Sequence, residues 1–149
     1  MTQTTGTPGP IALVGSGEYL PVLEFLERAL ITGRPPRYAQ LATAAAPEGP
    51  ASLARWHALG ADAARRLGVE QVVVPVGTRA DANDRQNAQL VAGAGLIYLS
   101  GGSPGYLTET LRGTRVWASI AACEESSVER SSPAVSITVS SLPRHSATP

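Results

Sequence analysis

Short apolar runs alternate with segments whose apolar residues return every three or four positions, and this alternation organises the chain from Ile11 to Ala122. Ile11-Ala12-Leu13-Val14 predicts a strand that enters a tight loop at Gly15-Ser16-Gly17. From Pro21 to Leu30, Val22, Phe25, Leu26, Ala29 and Leu30 recur at helical spacing, and Gly33 with Pro35-Pro36 ends the helix. Tyr38 to Ala46 reads as a second strand, although its alanines suit a helix equally well.

The clearest helix runs from Ser52 to Leu67, with Leu53, Trp56, Leu59, Ala63 and Leu67 as its stripe and Gly68 as its C-terminal cap. Val69 opens a third strand with its core at Val72 to Val76, and Pro75 must lie near the end of that strand. Asp81 or Asn83 can cap a short helix through Val91. Leu96-Ile97-Tyr98-Leu99 predicts a buried strand, after which Gly101 and Gly102 permit a sharp turn and Ser103-Pro104 starts a helix to Leu111. A further helix is expected from about Thr114 to Ala122. Strand and helix in repeated alternation predict an α/β domain built on an open, mostly parallel, flavodoxin-like sheet with helices on both faces.

In such sheets, sites lie beyond the carboxyl ends of the strands. That edge gathers Gly15-Ser16-Gly17-Glu18, Gly77-Thr78-Arg79 and Gly101-Gly102-Ser103. After Cys123 the texture changes: eight of the last 26 residues are serine, and Glu124-Glu125 stands at the unfavourable end of the preceding helix. Val135, Ile137 and Val139 alternate with small residues as an edge strand does, while a frayed tail explains the same segment. The expected division is a disordered lead-in over 1–10, a domain over 11–123 and a divergent Ser/Pro-rich tail over 124–149.

At 149 residues the chain suffices for one ordinary domain. Twelve basic and twelve acidic side chains leave no net charge to favour nucleic acid or an anionic membrane. Aromatic residues are only 5%, which argues against a base-stacking surface. The single cysteine, Cys123, excludes an intrachain disulfide and fits a reducing compartment. No run reaches the roughly 18 apolar residues of a membrane span. Met1 to Pro10 lacks the basic and apolar regions of a signal peptide, so a cytoplasmic location is expected.

The turn at Gly101-Gly102-Ser103-Pro104 can present backbone N–H groups to an anion, or can simply be a sharp strand-to-helix connection capped by Ser103. Gly15-Ser16-Gly17-Glu18 lacks the full G-x-G-x-x-G run, and no phosphate-binding loop with its lysine is present, so no nucleotide cofactor is expected. His57 lies on the strongest helix, where a structural or surface role outweighs that of a catalytic base. His145 stands in the serine-rich tail, and neither histidine nor Cys123 has neighbours at metal-ligand spacing. Arg79, Asp81, Asp84 and Arg85 form a charged cluster just after a strand, readable as a solvated helix start or as a pocket in which Arg79 meets a carboxylate.

Gly15-Ser-Gly-Glu-Tyr-Leu20, Ala46-Pro-Glu-Gly49, Trp56-His-Ala-Leu-Gly60, Arg66-Leu-Gly-Val69, Tyr98 to Leu107 and Thr110 to Trp117, in this order, resemble the cyanophycinase and α-aspartyl dipeptidase family of serine peptidases. The resemblance spans roughly residues 10–122 and implies a class I glutamine amidotransferase-like fold. It assigns Gly102, with Gly101 beside it, to the oxyanion hole. Ser16, Glu18, Arg79 and Ser103 become substrate-pocket candidates, and an acidic peptide or small carboxylate the expected ligand. The family continues into another strand and a glycine-flanked elbow bearing the nucleophilic serine, with an acid and a histidine later. Residues 124–149 hold no glycine, so no residue here is assigned a catalytic role and an inactive domain is expected.

A reading frame lost near Ala122–Glu125, a sequencing error and genuine divergence each account for that break, and translating the neighbouring DNA in the other frames tests the first. The alternatives are a noncatalytic small-anion or peptide-carboxylate module and a structural fragment that needs a partner. A sheet cut short after the 96–99 strand also predicts an exposed edge there, open to self-association unless residues 134–139 cover it.

Overall fold

The computed structural model describes residues 10–15, 17–121 and 134–138. Its sheet contains β1 (Ile11–Val14), β2 (Arg37–Leu41), β3 (Glu70–Val73), β4 (Leu96–Leu99) and β5 (Ala134–Thr138), all parallel, in the order β1-β5-β4-β2-β3. The helices are α1 (Glu24–Ile31), α2 (Pro50–Leu67), α3 (Arg79–Ala82), α4 (Arg85–Ala92), α5 (Pro104–Leu111) and α6 (Arg115–Ala121). The expected open parallel α/β sheet, with helices on both faces, is the architecture observed.

Alternation along the central strands assigns the two faces. Ala39 and Leu41 of β2 and Ile97 and Leu99 of β4 pack with Ala82, Val91, Leu111, Val116 and Ile120 from α3 to α6. The intervening Tyr38, Leu96 and Tyr98 pack with Leu30 and Ile31 of α1 and Ala63, Ala64 and Leu67 of α2. All four residues of β4 are buried, as a strand covered on both faces requires. Ile97 and Leu99 each contribute about 1.5–3 kcal/mol of burial.

Helix α2 follows its predicted stripe, and Gly68 closes it in the left-handed region at φ 71°. Elsewhere the local reading shifts. Pro21 to Leu23 forms a 3-10 turn, so the α-helix begins only at Glu24 and the buried residues of α1 are Glu27, Leu30 and Ile31. Phe25, expected on the inner stripe, is 86% exposed. Strand β2 stops at Leu41, and Thr43 to Glu48 winds into a 3-10 helix, the helical alternative that the alanines left open.

The charged segment after β3 makes two helices rather than one. Thr78 caps α3 in a capping box with Asp81, and Asp84 caps α4 by accepting from Gln86 N at 2.7 Å, so neither Asp81 nor Asn83 is an N-cap.

The largest departure lies at β5. It pairs with β1 on one side and β4 on the other, Ile97 opposite Val135 and Leu13 opposite Ile137. The segment expected as an edge strand or frayed tail is therefore an interior strand over 134–138, and β4 has neighbours on both sides. The sheet edges are β1 and β3. Ser16, Cys123, His145, the 1–9 part of the lead-in and the rest of the tail lie outside the described residues.

Candidate functional site

The carboxyl edge of the sheet is assembled from β4 outward. Leu99 hands the chain to Ser100, whose N–H donates to Leu41 O at 3.0 Å and extends the β2–β4 pairing by one residue. Ser100 is buried, and its hydroxyl is hydrogen-bonded to the Tyr19 hydroxyl from the loop after β1. Gly102 follows at φ 144°, and Ser103 N then donates to Ala44 O at 2.8 Å. A Cβ at Gly102 would stand 2.4 Å from the Ala44 carbonyl carbon and oxygen, so glycine is required both by the dihedral and by the neighbouring backbone.

Ser103 then caps α5: its hydroxyl accepts from Tyr106 N at 3.2 Å, and Pro104 occupies the first turn. From that turn Tyr106 reaches across to donate to Gly77 O at 2.6 Å, which fixes the loop after β3. Gly77 N and Thr78 N both donate to the Asp81 carboxylate, at 3.0 Å and 2.8 Å. Hydrogen bonding from the Thr78 side chain and then from these amides holds the Asp81 pKa below its ordinary range.

The loop after β1 is shaped by Gly17 at φ 80° and by Tyr19, the one non-glycine residue with positive φ among those described, at 61°. Tyr19 is held there by burial against Tyr98, with ring centroids 4.2 Å apart, and against Trp56 at 5.9 Å. Arg66 donates to the Tyr19 carbonyl from α2. Burial is the main cause that raises the Tyr19 pKa, so the phenol stays protonated and available to Ser100.

The three loops expected at this edge are thus cross-linked: the β1 loop to Ser100 through Tyr19, the β3 loop to α5 through Tyr106, and the glycine turn to Ala44. Of the candidate residues, Gly101 is buried, Gly102 is pressed on Ala44, Ser103 is a cap and Glu18 is half-buried. Arg79 donates to Glu109 O at 2.9 Å and so braces α3 against α5. His57 sits half-buried on α2, its carbonyl accepting from Gln71 Nε2 at 2.9 Å, and burial lowers its pKa. Sequence reasoning does not single out Tyr19, Ser100, Ala44 or Tyr106. The tyrosine of Gly15-Ser-Gly-Glu-Tyr19 is the one available signal.

Beside the glycine turn, an open cavity of about 390 Å³ is bounded by Leu99, Ser100 and Gly102 below and by α5 and the start of α6 at its sides. Leu107, Leu111 and Trp117 give it an apolar wall. Among the described residues, no group of three His, Cys, Asp or Glu side chains converges as a metal site. No described helix is long and apolar enough to cross a membrane.

No family model matches this chain, and no curated protein matches it. Among solved structures it is similar to a peptidase from an acI-B1 Actinobacterium, with a TM-score of 0.79 and 36% sequence identity. The match covers 91% of this chain and 55% of the peptidase, so the chain spans about half the length of that protein. The domain is therefore peptidase-like: an α/β unit homologous to a solved peptidase fold, with an enzyme-like ancestry written into its sheet.

Proposed function

We propose that this chain is a serine-hydrolase-derived domain of the cyanophycinase and α-aspartyl dipeptidase type, retaining the oxyanion side of the active site and lacking catalytic activity. The observation that carries this reading is the glycine turn after β4. It stands at the carboxyl edge, clamped by Ser103 N to Ala44 O at 2.8 Å, in a chain 36% identical to a solved peptidase. The Ser103 N–H is spent on Ala44 O and so serves to fix the turn; a backbone preorganised in this way can stabilise charge without reorganising, which is the electrostatic half of acyl transfer. The other half needs a nucleophile held against a base, and no glycine-flanked serine follows Cys123 in residues 124–149.

The turn accordingly retains an affinity for small carboxylates or acidic peptides without cleaving them. The full chain should be treated with a fluorophosphonate probe and assayed against a range of acidic dipeptides. No labelled serine and no turnover are expected. Labelling of one serine with matching turnover would overturn the inactivity.

A further inference from the structure

The cavity between β4, α5 and α6 has a composition unlike that of an acidic-peptide site. Leu99, Pro104, Leu107, Leu111 and Trp117 supply much of its surface, and no carboxylate is among its described lining residues. Its hydroxyl-bearing residues are already engaged within the fold: Ser100 with Tyr19, and Thr108 Oγ1 with Pro104 O at 2.9 Å. The charged side chain among the described lining residues is Arg112, at the C-terminal end of α5, whose guanidinium has no hydrogen bond or ion pair among the described residues.

Trp117, the aromatic wall, remains 41% exposed. An apolar cavity of about 390 Å³ with one cationic residue, the exposed Arg112, among its described lining residues is the pattern of a small-molecule site. An unpaired guanidinium at its lining selects a carboxylate, which it can bind through two parallel N–H donors.

We propose that this cavity binds an amphiphilic monocarboxylate, with an apolar chain of about eight carbons lying against Leu99, Leu107, Leu111 and Trp117 and its carboxylate on Arg112. The charge complementarity decides the head group, and the apolar lining decides the body. The site shares Gly102 with the glycine turn but does not depend on hydrolytic chemistry. It therefore stands or falls separately from the function proposed above.

Isothermal titration of the full chain with hexanoate, octanoate and decanoate tests this, with 1-octanol as the neutral comparator. Saturable one-to-one binding of octanoate is expected, tightening by about fourfold per added methylene as each is buried. Arg112→Gln, a change at an exposed side chain, should weaken octanoate at least tenfold and bring it level with 1-octanol. Thr108→Phe, which fills the cavity from α5, should abolish binding of both while the far-ultraviolet circular dichroism is unchanged. No saturable octanoate binding by the parent chain would overturn the proposal, as would equal affinity for octanoate and 1-octanol, or an Arg112→Gln variant that binds like the parent. Octanoate binding and the expected absence of fluorophosphonate labelling are read independently, so failure of the first leaves the hydrolase-derived reading standing and the appearance of labelling leaves the octanoate site standing.

Discussion

Gly60 of α2 lies directly over the carboxamide of Gln40 on β2: a Cβ at Gly60 would stand 2.3 Å from Gln40 Oε1 and 2.7 Å from its Nε2. That carboxamide is buried and held at both ends, donating to Trp56 O at 2.7 Å and accepting from Gln71 Nε2 at 2.9 Å. Alanine at position 60 gains about 1 kcal/mol of helix propensity. It must displace an amide whose broken hydrogen bonds cost about 1–3 kcal/mol for each buried group left unpaired. The second effect is larger, so Gly60→Ala should lower the stability read from urea midpoints by a net of about 1–3 kcal/mol. An unchanged or raised midpoint would show that Gln40 moves aside freely.

Gly102 meets backbone rather than a side chain. The Ala44 carbonyl at 2.4 Å and Ala45 N at 2.7 Å from its would-be Cβ cannot rotate away, and φ 144° is itself unfavourable for an L side chain. Gly102→Ala should destabilise the chain by about 3 kcal/mol or more, as overpacking and strain combine. Gly105→Ala, on α5 where a Cβ meets nothing within 4 Å, is the matched control and should be neutral or slightly stabilising in the same denaturation experiment.

What is legible in the chain is what neighbouring residues decide among themselves. The stripe of α2 and its Gly68 cap need only helical periodicity, and Ser103-Pro104 announces a helix start because cap and first-turn chemistry are local. Ala42 to Ala46 is undecided at that level because alanine fits a strand or a helix, and the choice is made by Ala44 O receiving Ser103 N from a distant loop. Periodicity misplaces Phe25 because the stripe Val22, Phe25, Leu26, Ala29 and Leu30 shares only Leu30 with the face that α1 buries, which is Glu27, Leu30 and Ile31. The pairing of Tyr19 with Ser100 spans 81 positions, and the insertion of β5 between β1 and β4 is likewise a matter of long-range order. Neither leaves a periodic trace in the sequence.

Glu27 makes stability depend on pH. Its side chain is buried on α1, with Tyr38 Oη donating to Oε1 at 3.4 Å and with Oε2 lacking a partner among the described residues. Burial pushes its pKa up to about 7, against the opposing hydrogen bond from Tyr38 and the charge of Arg66, with Glu24 adding to the rise. A raised folded pKa means that the native state binds the proton more tightly than the unfolded chain. The associated stability is fully present below the ordinary Glu value of about 4.5 and is lost as pH rises through about 7. The loss is at most about 3 kcal/mol. His57, whose pKa burial lowers, acts in the opposite sense, so the difference between parent and Glu27→Gln profiles isolates the carboxyl. Urea midpoints measured from pH 5 to pH 8 should fall in the parent relative to Glu27→Gln, and parallel profiles would remove Glu27 as the cause.

The two edges of the sheet are protected unequally, which predicts where copies of the chain will meet. At β3, Glu70 lies on the edge with its carboxylate 3.4 Å from Arg37 Nε, and Pro75 follows within two residues of the strand. Charge and proline both discourage the addition of another strand. At β1, the strand Ile11-Ala12-Leu13-Val14 carries no charge, has no second strand partner among the described residues, and leaves Ile11 64% and Leu13 72% exposed on one face. An unblunted apolar edge is a template for pairing, so the parent chain should show concentration-dependent association in sedimentation velocity. Leu13→Lys places a charge on that face without touching the Ala12 and Val14 side that packs inward, and should return the chain to monomer. Glu70→Val, which strips the protection from β3, should increase association. Association that Leu13→Lys leaves unchanged would move the contact away from β1.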